Sequence, residues 1–245
     1  MNTVSKQYYI GTSGWNYKHW QEAFYPQEIS KAEWFDFYTE YFDTVEINYS
    51  FYKWPNKNTL RKWRERAPKN FYFTLKSPRT ITHAKKFKDA GKPVSDFYAL
   101  TGILGDRMAC HLFQAPPSFK YTENNFEKLE QFFKSLHKRK QNVIEFRDPS
   151  WWRNETYDLL RKYNIIFCVV SGLGMPDTVI ATNKDIAYFR FHGVEYGGNY
   201  SNETLLRYAD IFRKLEAKKI YAYFNNDIGG YAPKNASELL KMIKQ

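Results

Sequence analysis

Three pairs of polar side chains sit two residues apart at the ends of hydrophobic runs: Glu46 with Asn48 in TVEINYS, Glu145 with Arg147 in NVIEFRD, and Arg190 with His192 in IAYFRFH. Residues i and i+2 of a strand face the same side, so each pair presents its groups together. Other runs also turn polar late: FYFTLK ends at Lys76, MACHLFQ at Gln114, and KIYAYFNND in Asn225, Asn226 and Asp227. Guanidinium forks match the oxygens of phosphate and carboxylate, so Arg147, Arg190 and Lys76 together would hold an anion, phosphate being the commoner target. Glu46, Glu145 or Asp227 would then serve as general base and His192 as acid, in phosphoester or phosphodiester hydrolysis. The same carboxylates with His192 would also suit a divalent metal, but two arginines among them oppose it and no local ligand motif supports it. Taken singly, Glu145–Arg147 and Arg190–Asp227 read as ion pairs closing the end of a fold. Taken together, the polar strand ends read as a site.

The elements that must position these groups alternate. Eight strand-like runs (YYIGTSG, TVEINYS, FYFTLK, MACHLFQ, NVIEFRD, IIFCVVS, IAYFRFH and KIYAYFNND) are separated by helical patterns. The stretch SKAEWFDFYTEYF opens on a capping box of Ser30 and Glu33. Phe126, Leu129, Phe133 and Leu136 recur at helical spacing, as do Leu205, Ala209, Phe212 and Leu215, and NASELLKMI closes the chain with another helical pattern. Alternation through the whole length, with nearly continuous apolar strands, predicts a parallel sheet built of βα units. Eight such units in 245 residues predict one (β/α)8 barrel domain over residues 1–245. An open doubly wound sheet would carry a glycine-rich phosphate loop after its first strand, and GTSGW lacks that spacing. In a barrel the late polar groups share the C-terminal rim, where ligand sites of this fold lie.

Loops leaving that rim are aromatic: Trp15, Trp20, Trp54, Trp151 and Trp152, with Tyr17, Tyr49, Tyr52, Tyr196 and Tyr200. Most of these are expected to pack, and a few to form stacking platforms for bases or sugars. The segment Ser77–Pro93 carries Arg79, Lys85, Lys86, Lys88 and Lys92 against Asp89 alone, and reads as a mobile basic flap. The formal charge of +11 suits an anionic partner, nucleic acid included, although lysine-rich helix surfaces account for part of it. Cys110 and Cys168 fall on strands four and six, too far apart for a disulfide, and are expected as free buried thiols. The first residues lack the apolar run of a signal peptide and no stretch is apolar enough to span a membrane, which points to a cytoplasmic protein of unspecified oligomeric state.

GTSGWNYKHW, FDTVEINYSFYKWP, FTLKSPRTITH, FQAPPSF, EFRDPSWW, YFRFHG and FNNDIGGYAPKNASEL, in that order, resemble the YecE-like family, domain of unknown function 72, from about residue 9 to 240. The resemblance implies a TIM barrel and supplies no activity. It adds emphasis to Trp15, Glu46, Asn48, Tyr49, Lys76, His83, Gln114, Glu145, Arg147, Arg190, His192 and Asn225 to Asp227, all inside matching stretches. Three functions fit these residues. The first is an enzyme acting on a phosphate-bearing substrate such as a nucleotide or nucleic acid. The second is a non-catalytic binder of single-stranded nucleic acid. The third is a glycoside hydrolase, weakened by Gln114 and Arg190 standing where acids would be expected.

Overall fold

The computed structural model describes residues 6–194 and 197–244. Eight strands, β1 (Gln7–Thr12), β2 (Thr44–Ile47), β3 (Tyr72–Lys76), β4 (Met108–Gln114), β5 (Asn142–Glu145), β6 (Ile166–Ser171), β7 (Ile186–Phe191) and β8 (Lys219–Phe224), close into one barrel in chain order. Every neighbouring pair is parallel, including the closing β1–β8 pair, which is the predicted (β/α)8 architecture. The helices are α1 (Trp34–Tyr41), α2 (Tyr49–Tyr52), α3 (Lys57–Arg66), α4 (Gly91–Thr101), α5 (Glu123–Ser135), α6 (Asn154–Lys162), α7 (Asn202–Lys214) and α8 (Tyr231–Lys244).

Local chemistry sets the helix starts. Asn56, Thr122 and Ser201 each accept from a backbone N–H of the first turn of α3, α5 and α7, at 2.8, 3.1 and 3.2 Å. The Ser30–Glu33 box forms, with Glu33 Oε2 2.8 Å from the Ser30 amide, but it closes a turn and α1 begins only at Trp34. Conversely, α8 begins at Tyr231, ahead of NASELLKMI, because Pro233 lies in its first turn, where a missing N–H is harmless.

Strand parity divides the core. Outward residues pack under the helices as an aromatic shell, in which Phe35, Phe73, Phe97, Phe113, Phe189 and Phe212 are all buried. Inward residues fill the barrel in layers. At the N-terminal end Tyr9 stacks on Tyr221 at 4.8 Å and meets Tyr72 edge-on at 5.0 Å. Above them come Cys110, Val143, Cys168, Tyr188 and Tyr223. Both cysteines are free and buried. The next layer is charged, and it begins the site. Among the described residues no helix is long and apolar enough to cross a membrane.

Candidate functional site

The inward positions at the C-terminal ends of β2, β5 and β7 bring Glu46, Glu145 and Arg190 into one cluster inside the barrel. Arg190 Nη2 is 2.7 Å from Glu46 Oε1 and its Nη1 is 2.6 Å from Glu145 Oε2, with all three side chains at 1% exposure or less. Arg190 Nε adds a second bond to Glu46 Oε1 at 3.1 Å. The rest of Glu46 is engaged as well: Ser13 Oγ donates to Oε1 at 2.6 Å and the Tyr188 hydroxyl to Oε2 at 2.5 Å. On Glu145, Oε1 accepts Arg147 Nε at 2.6 Å and His192 Nε2 at 3.1 Å.

Burial alone would push the Glu145 carboxyl up, but Arg147, Arg190 and His192 outweigh it and hold it well below the usual range. The opposite balance rules His192. Burial first, then Arg190 and Arg147, lower it to about 4 despite the hydrogen bond to Glu145, so the ring is neutral at pH 7. A neutral ring donating Nε2–H to Glu145 leaves Nδ1 to accept from Asn225 Nδ2, 3.3 Å away, and Asn225 Oδ1 in turn accepts from Asn48 Nδ2 at 3.1 Å. Just beyond, Gly193 turns the chain at φ +88°, where a Cβ would lie 2.7 Å from backbone atoms of Gly197 and Gly198.

These contacts change several expected roles. Arg190 is expected to hold phosphate or, with its pair taken singly, to bridge to Asp227. It points into the barrel and takes two glutamates, while Asp227, three residues past the end of β8, lies with its Oδ2 3.4 Å from His19 Nε2. Asn226 is one residue out of phase with Asn225 and faces away from the mouth, donating to Gly198 O and Asn235 Oδ1, both at 3.0 Å. His192 has both nitrogens engaged and no proton to spare, so the role of acid does not suit it. Glu46 and Glu145 are ligated on both oxygens by cations and hydroxyls, which does not suit a general base. Sequence reasoning missed Ser13 and Tyr188. Tyr188 was legible by parity, two residues before Arg190, but an aromatic there reads as core. Replacing Tyr188 with Phe, which strips Glu46 Oε2 of its donor, is expected to lower unfolding free energy by about 1–3 kcal/mol in urea melts with little change of volume.

What remains open at the mouth is cationic. Lys76, inward at the end of β3, is 8% exposed, and among the described residues its ammonium has no ion pair or hydrogen bond. It sits 4.0 Å above the centre of the Phe51 ring. Burial first, then Arg190 and Arg147, lower its pKa from 10.5 to about 7, against the pull of Glu145 and Glu46. His83 packs edge-on against the same Phe51 ring at 4.8 Å, with Nδ1 2.9 Å from Thr82 Oγ1. Burial, Lys76, Arg79 and Arg147 lower it to about 4. Arg147 keeps 18% of its side chain exposed. Gln114 Oε1, Asn48 Oδ1 and Ser77 Oγ are among the buried oxygens without a partner among the described residues.

The rim aromatics divide into buried and cleft-lining groups. Trp20 and Trp151 are buried and Tyr200 nearly so, which is packing. Trp15, Tyr17, Tyr49, Tyr52 and Trp63 line a cleft of about 560 Å³ that also reaches Asn48. Tyr49 and Tyr52 are 50% and 76% exposed there. Helix α2 separates the halves of the mouth, with Tyr49 and Tyr52 on the cleft and Phe51 under Lys76. Tyr196 lies outside the described residues. The basic segment Ser77–Pro93 is folded onto the barrel. Ile81, Thr82, Phe87 and Ala90 are buried, the Lys85 amide closes a wide turn onto Thr80 O at 3.2 Å, and Phe87 packs on Phe119 and Phe132. Lys85, Lys86 and Lys88 stay exposed on this anchored turn. A larger groove of about 670 Å³, between Phe87–Gly91 and α5, is lined mainly by solvated side chains and lacks a buried charge. Among the described residues no three His, Cys, Asp or Glu side chains group as metal ligands.

Comparison with known proteins places this geometry in a family. UPF0759 protein YunF of Bacillus subtilis is 26% identical over 269 residues, spanning 96% of this chain and 94% of YunF. UPF0759 protein YecE of Escherichia coli is 27% identical over 144 residues, 59% of this chain and 50% of YecE. The crystal structure of a DUF72 family protein from Thermotoga maritima superposes with a TM-score of 0.90 at 32% identity, covering 98% of this chain and all of that one (100%). One from Enterococcus faecalis, at 19% identity and a TM-score of 0.85 over 98% of this chain and 96% of that one, shares the fold. The profile described as "Protein of unknown function DUF72" matches residues 9–245, and the chain belongs to that family.

Proposed function

We propose that the protein is an enzyme acting on a phosphate-bearing substrate at the C-terminal rim of the barrel, with Arg147 holding the phosphate and Lys76 facing the reacting group. The observation that carries this reading is the imbalance of the buried charges. Glu46 and Glu145 are matched by Arg190 and Arg147, so among the described residues Lys76 is a surplus cation in a nearly closed space. A buried cation without a counter-ion is costly, and a ligand anion beside it removes that cost. Arg147 supports the assignment because Glu145 holds it through Nε and His192 Nε2 lies 3.3 Å from its Nη2, while Nη1 has no partner among the described residues and 18% of the side chain is exposed. The exposed lysines of the 85–88 turn add attraction for an incoming anion. A glycosidase would need two carboxylates open to substrate, and Glu46 and Glu145 are engaged.

The test is thermal unfolding with inorganic phosphate, phosphate monoesters and neutral analogues. At about 100 times its Kd a ligand of the folded state adds about 2.7 kcal/mol, which for a chain of this size raises Tm by roughly 5–10 °C. Phosphate esters should do this and the neutral analogues should not, and Arg147→Gln should abolish the shift while its own unliganded Tm serves as baseline. Esters that leave Tm unchanged, together with an oligonucleotide whose affinity falls steeply with salt, would replace this reading with a single-strand binder using Tyr49 and Tyr52 as stacking platforms.

A further inference from the structure

We propose that Lys76 is a carbonyl-reactive amine, and that the substrate class of this barrel is a phosphate-bearing aldehyde or ketone bound to Lys76 as an imine. The phosphate half of that statement rests on the function proposed above, and the imine half does not.

Placement is the first support. The Lys76 amine is nine-tenths buried at the inner end of β3, with no hydrogen-bond acceptor or carboxylate holding it among the described residues. Nζ lies 4.0 Å above the centre of the Phe51 ring, a contact that occupies one side of the nitrogen. A lysine kept only to neutralise a carboxylate would be bonded to one. Here both nearby glutamates are taken by other donors.

Charge is the second. The charged and titratable groups acting on Lys76 are Arg190 from β7, Glu145 from β5, Arg147 two residues past the end of β5, Glu46 from β2 and His83 from the turn after β3. Burial and the two arginines outweigh the two carboxylates, and the amine titrates at about 7, so a large share is unprotonated at neutral pH. Desolvation beside cations is how a lysine becomes a nucleophile.

The third is a neighbouring proton carrier. His83 shares the Phe51 ring, is neutral at pH 7, and has no partner on Nε2 among the described residues. The step balances without an oxidant. The Nζ lone pair attacks the carbonyl carbon, the C=O π pair moves to oxygen, and the proton lost by nitrogen is relayed through the His83 ring to that oxygen. The resulting carbinolamine loses its hydroxyl as water with a second proton from nitrogen, leaving C=N. Amine and carbonyl thus become imine and water. Gln114, two residues beyond Leu112, the β4 partner of Lys76, has a buried and unpartnered Oε1 and would accept from the carbinolamine hydroxyl.

The experiment treats the whole chain at pH 7 with pyridoxal 5′-phosphate or with pyridoxal, reduces with borohydride, and maps the labelled lysines by peptide mass. At pH 7 an amine titrating near 7 has roughly a thousandfold more free base than an exposed lysine at 10.5, and lower basicity offsets part of that. Labelling of Lys76 over exposed Lys85, Lys86 and Lys88 by about tenfold or more is expected. It should be lost in Lys76→Met and slowed without relocation in His83→Gln. Label spread over exposed lysines with Lys76 unmodified overturns the imine, even if phosphate esters still raise Tm. Lys76 labelled equally fast by both aldehydes leaves the imine standing and removes the phosphate.

Discussion

Arg190→Met should destabilise the protein by about 3–5 kcal/mol at pH 7, and the loss relative to wild type should shrink as the pH falls toward 5.5. The size follows from the burial of all three partners. Arg190 is 1% exposed and joins Glu46 and Glu145, each fully buried, so its removal leaves two carboxylates facing one another with Arg147, Ser13, Tyr188 and His192 as remaining donors. The pH dependence follows from the sign of the linkage. In wild type Glu145 is held well below 4.5, so its contribution is present above that value and lost only as strong acid reaches the folded pKa. Without Arg190 the balance tips to burial and repulsion, and the buried pair takes up a proton more readily folded than unfolded. A group of that kind favours folding at low pH and opposes it as pH rises through the folded pKa. His192 acts in the same direction, since losing Arg190 removes one cause that holds its ring near 4. Urea melts of both proteins at pH 7 and 5.5 decide it. An equal loss at the two values would mean that the cluster holds by packing, and that charge is incidental.

This cluster also marks how far the sequence could be read. The eight strands were legible because both faces of each are buried, which leaves nearly unbroken apolar runs, and because helices separate every consecutive pair but β6 and β7, which residues 172–185 join without one. The inward direction of Glu46, Glu145 and Arg190 was legible too, from the two-residue period. Partner choice was not. Which inward groups meet depends on barrel stagger, a property of all eight strands together, and the sequence offered Arg190 no means of distinguishing Glu46 from Asp227. Parity also fails where a strand stops: Asn225 continues the inward face of β8, Asn226 turns out toward Asn235, and Asp227 has left the ladder. The flap was misread because Ile81, Phe87 and Ala90, three isolated apolar residues in a lysine-rich stretch, show no period, yet each is buried. Phe51 gave no sign of lying under Lys76, since α2 is a single turn whose facing cannot be read from spacing.

Lys76→Met should stabilise the protein, by about 2–4 kcal/mol at pH 6, with a gain that fades as pH rises toward 10. The lysine titrates at about 7 when folded against 10.5 as its reference value, a difference whose full conversion is about 5 kcal/mol, reduced here for remaining solvent access. Below pH 7 the ammonium is charged in both states and the folded state bears the whole desolvation penalty. Between about 7 and 10.5 the folded protein binds fewer protons than the unfolded chain, so wild-type stability climbs with pH and the advantage of methionine disappears. Methionine matches the lysine stem in length and rests on the Phe51 face without requiring a counter-ion. Glutamates already satisfied by Arg190 and Arg147 do not miss the ammonium, which separates this position from the buried pair, where removing one partner strands another. A buried cation whose deletion strengthens the fold is a group placed for a ligand at the expense of stability. Denaturation of Lys76→Met at pH 6 and pH 9.5 is the measurement. A variant weaker than wild type at pH 6 would show that the amine is structurally satisfied, and the reactive role proposed for it would fall with that result.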